Sequence, residues 1–439
     1  MSHVFPRNSK IPPKAVSHGD GAYLYDEKGN AYLNCGDAAV SCLGHGDPHV
    51  TGAIKRQLDA VAFAHTGFFT SEPAEKLADK LASLAPGELE RVYFVSGGSE
   101  AMEAALKLAR QYYLEIDQPD RHRVIARRQS YHGNTLGALA TGGNEWRRAQ
   151  FAPMLIDVSH VSACYAYRGQ NEGETESAYV DRLIHELETE IERLGPETVM
   201  AFVAEPVVGA TLGAVPPVGD YFARVRAVCD RYGILLILDE VMCGMGRTGT
   251  LFASEQYDVV PDICAIAKGL GGGYQPIGAM LCTTAIHDAI RDGSGFFQHG
   301  HTYLGHPVAC AAGLAVLERL VDDDLLSRVN SAGAHLSNAL HTQFAQHPHV
   351  GDVRGVGLFQ AIELVADRDS KEPWPAKDKL HAKLKAAALA HGLICYPMGG
   401  TVDGQQGDHV LLAPPFIATD EQLDAAVAKL NEALLDVLG

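Results

Sequence analysis

Ile234-Leu-Leu-Ile-Leu-Asp-Glu240 and Ile263-Cys-Ala-Ile-Ala-Lys-Gly-Leu-Gly-Gly-Gly273 decide the fold. Each is an unbroken apolar run of strand length that stops at charge, Asp239 with Glu240 in the first and Lys268 in the second. Unbroken rather than alternating runs are what strands buried on both faces of a parallel sheet require. Ligands of open α/β sheets bind beyond the carboxyl ends of the strands, so an acid and a lysine are expected on one rim. For either residue alone, a solvated strand end is an equally good reading. The two together, with the loops below, point to a site.

Similar runs occur at Arg91 to Val95, Arg123 to Ala126 and Val199 to Ala204, and between the first two Leu106, Ala109 and Tyr113 keep helical spacing over Glu100 to Tyr113. Strands alternating with amphipathic stretches predict βαβ units, hence an α/β protein with a large, mostly parallel sheet. Ahead of it, Gly21 to Leu33 reads as a hairpin around Asp-Glu-Lys-Gly. Behind it, helices are expected from Val308 to Leu320 and from Ser327 to Phe344. Short strands are expected at Gly355 to Val365, Gly392 to Pro397 and His409 to Leu412, then a helix from Thr419. Gly399 to Asp408 lacks periodicity and is expected as a surface loop. The resulting division is 1–55 joining a small lobe, 56–320 a large α/β domain, and 321–439 a small C-terminal α+β domain.

The 439 residues exceed one ordinary core, and 46% hydrophobic with 21% charged residues is a globular composition. With 36 basic against 54 acidic residues the net charge is −18, which repels nucleic acid and anionic membranes. No apolar stretch approaches a membrane span and no export leader is evident. The nine cysteines include no CxxC pair, so a reducing, cytoplasmic setting is expected.

Val95-Ser-Gly-Gly-Ser-Glu-Ala101 reads as strand, Gly-rich turn and helix start, where free amides and the helix dipole make a phosphate site. The alternative is an ordinary helix capped by Ser99. No GxxxxGK[ST] occurs and no GxGxxG follows a strand, which removes the main support for ATP or NAD. A phosphate cradle, a lysine and an aspartate together suit pyridoxal phosphate. The lysine forms a Schiff base with the aldehyde, and the carboxylate keeps the pyridinium protonated.

The wording of the motifs is then specific. Leu238-Asp-Glu-Val-Met-Cys-Gly-Met-Gly-Arg-Thr-Gly249 and Pro261-Asp-Ile-Cys-Ala-Ile-Ala-Lys-Gly-Leu-Gly-Gly-Gly273 resemble the class III aminotransferases of pyridoxal-phosphate fold type I. Tyr131-His-Gly, Ala204-Glu-Pro-Val-Val-Gly, His301-Thr-Tyr-Leu-Gly-His-Pro and Ala413-Pro-Pro extend the resemblance along nearly the whole chain. It implies a large sheet domain with a smaller α+β lobe built from both termini. It also implies Lys268 as Schiff-base lysine and proton shuttle, Asp239 at the pyridine nitrogen, and Val241 and Tyr131 on the two ring faces. Gly98 and Ser99 would hold the phosphate, Glu205 and His132 would support the cofactor site, and Thr302 would reach the phosphate of a partner subunit in a homodimer.

Other residues invite blander readings. His299, His301 and His306 lack a nearby carboxylate or cysteine, so no metal is expected. Arg121, Arg123, Arg127 and Arg128 read as a solvated strand edge, and Cys243 and Cys264 as small buried residues.

Three positions depart from the 2-oxoglutarate-dependent members of the family. Ala210 stands where an acidic gate follows the Glu-Pro pair, Met242 replaces a glutamine, and Leu411 replaces the arginine that precedes Ala-Pro-Pro. The resemblance therefore implies the amine or ω-amino acid:pyruvate branch, with small-molecule amine and keto acid as substrates. Arg168 is the alternative clamp for a substrate carboxylate. Competing readings are an aminomutase or dialkylglycine-type decarboxylase, a non-enzymatic binding protein on the same fold, and a nicotinamide oxidoreductase.

Overall fold

Alternation along the central strands sorts their side chains into two cores. Ala201, Val203, Leu235, Ile237 and Ala265 pack with the helix Gly98–Glu115, whereas Phe202, Ala204, Leu236 and Leu238 pack with the helices Glu176–Leu194 and Tyr221–Tyr232. Each fully buried Leu or Ile contributes about 1.5–3 kcal/mol, and helices on both faces explain why these strands read as unbroken apolar runs. The computed structural model describes residues 3–439; Met1 and Ser2, part of the expected N-terminal segment, lie outside it.

The sheet has seven strands in the order Arg91–Val95, Gly278–Cys282, Ile263–Ile266, Leu235–Asp239, Val199–Ala204, Arg123–Arg127, Ser159–Val161. All pairings are parallel except those of Gly278–Cys282, which runs antiparallel to both neighbours. Close approach explains the glycine that starts this strand. A Cβ on Gly278 would meet the carbonyl oxygen of Gly97 at 2.8 Å.

The smaller lobe uses both ends of the chain. The expected hairpin forms from Tyr23–Asp26 and Ala31–Asn34, flanked by Val16–Asp20, and Ala31–Asn34 pairs in parallel with Leu393–Ile394. A second, antiparallel sheet orders Val350–Val356, Phe359–Leu364, Asp408–Leu412 and Tyr396–Gly399. The helices Leu325–Phe344, Leu380–Ala390 and Asp420–Leu438 pack on this lobe, the last begun by a Thr419–Gln422 capping box. Among the described residues no helix is long and apolar enough to cross a membrane.

Four sequence expectations are corrected. Gly355 to Val365 spans the end of one strand, a turn with Gly357 at φ 57°, and a second strand. Gly392 to Pro397 divides between two sheets. The segment after Gly399 is only partly a surface loop, because Thr401 is buried and Gln129 Nε2 donates to Gly400 O at 2.7 Å. Arg127 is no solvated edge: it is 1% exposed, with its guanidinium 5.9 and 5.7 Å from the rings of Tyr221 and Phe222.

Beside this loop, the buried His409 shares a hydrogen bond through Nδ1 with Thr401 Oγ1 at 2.7 Å. Burial, reinforced by the like charge of Arg354, pushes the imidazole down to about 3. An unfolded histidine titrates near 6.5, so between pH 6.5 and 3 the unfolded chain binds a proton that the native one refuses. The stability from neutral His409 is therefore complete above about pH 6.5 and lost as pH falls, on the order of a few kcal/mol across the window. Thermal midpoints of His409→Gln are expected to fall less steeply with acid than those of the wild type. Parallel curves would remove His409 from acid lability.

Candidate active site

A cavity of about 520 Å³ opens where the carboxyl ends of the central strands meet the loop after Arg91–Val95. Its first wall is Gly97, Gly98 and Ser99 at the start of the helix Gly98–Glu115, where no side chain caps the amides. Ser96 N is already satisfied by Glu100 Oε2 at 2.8 Å. Ser99 is not the N-cap: Gly97 holds that position, and Ser99 Oγ instead accepts from Asn134 N at 3.0 Å, tying the cradle to the Tyr131-His-Gly turn. Glycine at 98 lets Val241 come close, since a Cβ there would lie 2.6 Å from Val241 Cγ1.

Asp239 ends its strand and Val241 follows in the cavity wall. Asp239 Oδ1 accepts from Val241 N at 3.0 Å, and Oδ2 lies 2.8 Å from His132 Nδ1. A carboxylate only accepts, so the ring carries its hydrogen on Nδ1. His132 Nε2 is left buried and unpaired. The adjacent Glu240 turns away from the cavity, accepting from Ser254 N at 3.0 Å and from Ala253 N, and burial raises its carboxyl to about 7. Only one acid of the Asp-Glu pair therefore reaches the rim.

Glu205 is 4% exposed and accepts from Tyr131 N at 3.1 Å and Gly209 N at 2.9 Å. Burial raises its carboxyl above the usual range. Lys268 is half-buried in the wall with its backbone at φ 43°, a left-handed conformation that costs a non-glycine residue roughly 1–3 kcal/mol. Desolvation lowers its amine below the usual range, against the opposing pull of Asp239 and Glu205. A lysine so placed is more readily neutral, the state in which an amine is a nucleophile or a base.

Of the nine residues expected at the site, Gly98, Ser99, Tyr131, His132, Glu205, Asp239, Val241 and Lys268 line the cavity. Thr302, expected at the phosphate of a partner subunit rather than in this cavity, is exposed. Val40, Gln275, Pro276 and Ile277 also line it. Gln275 and Pro276 stand just beyond the Gly-rich run after Lys268, and following that loop to its end would have found them. Val40 comes from a distant part of the chain and carries no local signal. Ala210, Met242 and Leu411 form one apolar cluster against Tyr131 and Tyr396, and Met242 reaches the cavity wall. Arg168 is engaged elsewhere, its Nε 2.5 Å from Glu363 Oε1 and its Nη1 2.9 Å from Lys371 O.

Residues 4–434 match the family model described as aminotransferase class-III. The chain belongs to the class-III aminotransferase family. This aminotransferase is 44% identical over 443 residues to an aminotransferase of Gibberella zeae, covering all of this chain and 86% of that one. Among solved structures, an (S)-enantioselective ω-transaminase from Thermomicrobium roseum superposes with TM-score 0.93 at 39% identity, covering 100% of this chain and 97% of the other. An ω-transaminase of Pseudomonas jessenii in complex with PMP does so with TM-score 0.93 at 33% identity, covering 99% and 96%. The aminotransferase therefore has the α/β architecture of fold type I and is a pyridoxal-phosphate-dependent transaminase by family.

Proposed function

We propose that this aminotransferase holds pyridoxal phosphate at Lys268 and moves an amino group from a primary amine or ω-amino acid to pyruvate. The observation that carries the reading is the gathering, in one cavity, of a desolvated lysine, an aspartate anchored by His132 and an uncapped helix start. Those three features fit the cofactor's aldehyde, pyridine nitrogen and phosphate, and the PMP complex of the Pseudomonas jessenii relative supports the assignment. When bound, the cofactor supplies an aldehyde that takes up the amino group and a ring that withdraws electrons from the reacting carbon.

The chain's own residues then divide the work. Lys268 would hold the cofactor through its aldehyde and, as a neutral amine, would carry a proton at the reacting carbon. Asp239 would set its negative charge against the ring nitrogen, and the Nδ1–H of His132 fixes its orientation. Gly98 and Ser99 would present amides to the phosphate, and Val241 and Tyr131 would confine the ring. Glu205 ties the Tyr131 turn to the strand Val199–Ala204 through Tyr131 N.

Amine donors and pyruvate are favoured by the apolar cluster around Ala210, Met242 and Leu411, which offers no cation to a second carboxylate. The ω-transaminase relatives support the same class of donor. A homodimer is supported by aromatic surface around Thr302: Phe69 is 68% and Tyr303 60% exposed, and Tyr303 packs at 5.7 Å on Phe63. Nine unpaired, buried cysteines support a reducing compartment such as the cytoplasm.

The test is a panel of amines and ω-amino acids with pyruvate and 2-oxoglutarate. A higher kcat/KM for pyruvate is expected, and a clear preference for 2-oxoglutarate sinks the acceptor assignment. A cofactor-saturated, fully active monomer in sedimentation would contradict the dimer.

A further inference from the structure

The apolar cluster leaves open which group binds the carboxylate of the keto acid itself. The candidate that the sequence offered, Arg168, is bound to Glu363. Arg354 is bound to Asp352 and Glu363, and Arg127 and Arg247 spend donors on backbone carbonyls. Arg147 differs. Its Cζ stands 4.7 Å from the ring centroid of Tyr131, a residue of the cavity wall, and among the described residues no carboxylate or carbonyl takes its guanidinium. Its neighbour Arg148 pairs with Glu145 instead.

The backbone of Arg147 is fixed while its side chain is uncommitted. Asn144 Oδ1 accepts from Arg147 N at 3.2 Å, Asn144 Nδ2 donates to Gln129 Oε1 at 2.9 Å, and Gln129 Nε2 donates to Gly400 O at 2.7 Å. A half-buried cation without a counter-ion, in a chain of net charge −18, is a ready site for an anion. Its field reaches the Tyr131 hydroxyl, where it opposes the effect of burial. The field of Arg7 reaches the same hydroxyl, but Arg7 is exposed and makes no ring contact.

We infer that Arg147 binds the carboxylate of the keto acid acceptor and so selects the second substrate of the reaction. The inference rests on the aminotransferase reading with a keto acid acceptor. A planar guanidinium presents two parallel N–H donors to a carboxylate, which holds the adjacent ketone in one orientation. An amine without a carboxylate makes no call on it, so the two halves of the reaction differ in their need for Arg147.

The experiment uses the holoenzyme and follows each half-reaction by the cofactor's absorbance, with 1-phenylethylamine as donor and pyruvate as acceptor. Arg147→Ala is expected to raise the KM for pyruvate about 10- to 100-fold, the range for losing hydrogen bonds to a charged group, with kcat changed less than about 3-fold. Arg147→Lys should recover part of the loss, and the amine half-reaction should be unchanged. The inhibition constant of propionate, a carboxylate that cannot react, should rise in parallel with that KM. An unchanged pyruvate KM in Arg147→Ala, or the same rise in Arg7→Ala, overturns the role of Arg147 alone. A wild type that passes no amino group from any donor to any keto acid overturns the aminotransferase reading with it.

Discussion

Lys268→Ala is expected to lose at least about 10⁴-fold in turnover, since one substitution removes both an attachment point and a proton carrier. Stability should move the other way or not at all when both proteins are compared without cofactor. Alanine keeps the left-handed backbone of the lysine, at φ 43°, and relieves the protein of an amine that burial holds below its usual range. Thermal unfolding of the two apo proteins checks this. Borohydride reduction of the wild type followed by peptide mapping should place the cofactor mass on the Lys268 peptide. Label on another lysine, or residual activity within about 10-fold of wild type, would dismiss the assignment.

Asp239→Asn is expected to lower kcat by about 10²- to 10⁴-fold while the cofactor still binds. The amide oxygen can continue to accept from Val241 N, so the loop after the strand keeps its anchor. The amide nitrogen, however, would face the Nδ1–H of His132, donor against donor, in place of a 2.8 Å hydrogen bond. The imidazole then has to move its hydrogen to Nε2 or turn, and the negative charge beside the ring nitrogen is gone in either case. Separate measurement of cofactor Kd and kcat distinguishes this from simple loss of binding. Undiminished turnover would free Asp239 of its role.

What could be read without coordinates follows from how local each signal is. Val199–Ala204 and Leu235–Asp239 announce themselves because they are apolar on both faces. Gly278–Cys282 does not: Gly-Ala-Met-Leu-Cys has no β-branched residue, and its insertion beside the preceding strand Ile263–Ile266 depends on Arg91–Val95, far away in sequence. Gly355 to Val365 read as one strand because Gly357 and Leu358 interrupt neither the apolar run nor its length. At the site, residues carried by contiguous motifs were legible down to Asp239 and Lys268. Arg127 was misread because its burial against Tyr221 and Phe222 is set by a helix almost a hundred residues downstream. The seating of Arg147 on Tyr131 is likewise a meeting of segments that no pattern along the chain encodes.

The antiparallel strand Gly278–Cys282 has a consequence for how such an enzyme can diversify. By reversing direction between two neighbours, it pairs Ala279 with Ile266 and Gly278 with Val95, so the loop that carries Lys268 is laced at both ends into interior strands of the sheet, beside the Gly97–Ser99 turn. Amide hydrogens there should exchange only with global opening, the slowest class in the molecule. The helix Glu145–Arg148, whose Arg147 stands over the Tyr131 ring, and residues 400–407, tied to Asn144 through Gln129, by contrast lie outside that lattice. Mutational drift can therefore rework what the enzyme accepts without disturbing the atoms that react.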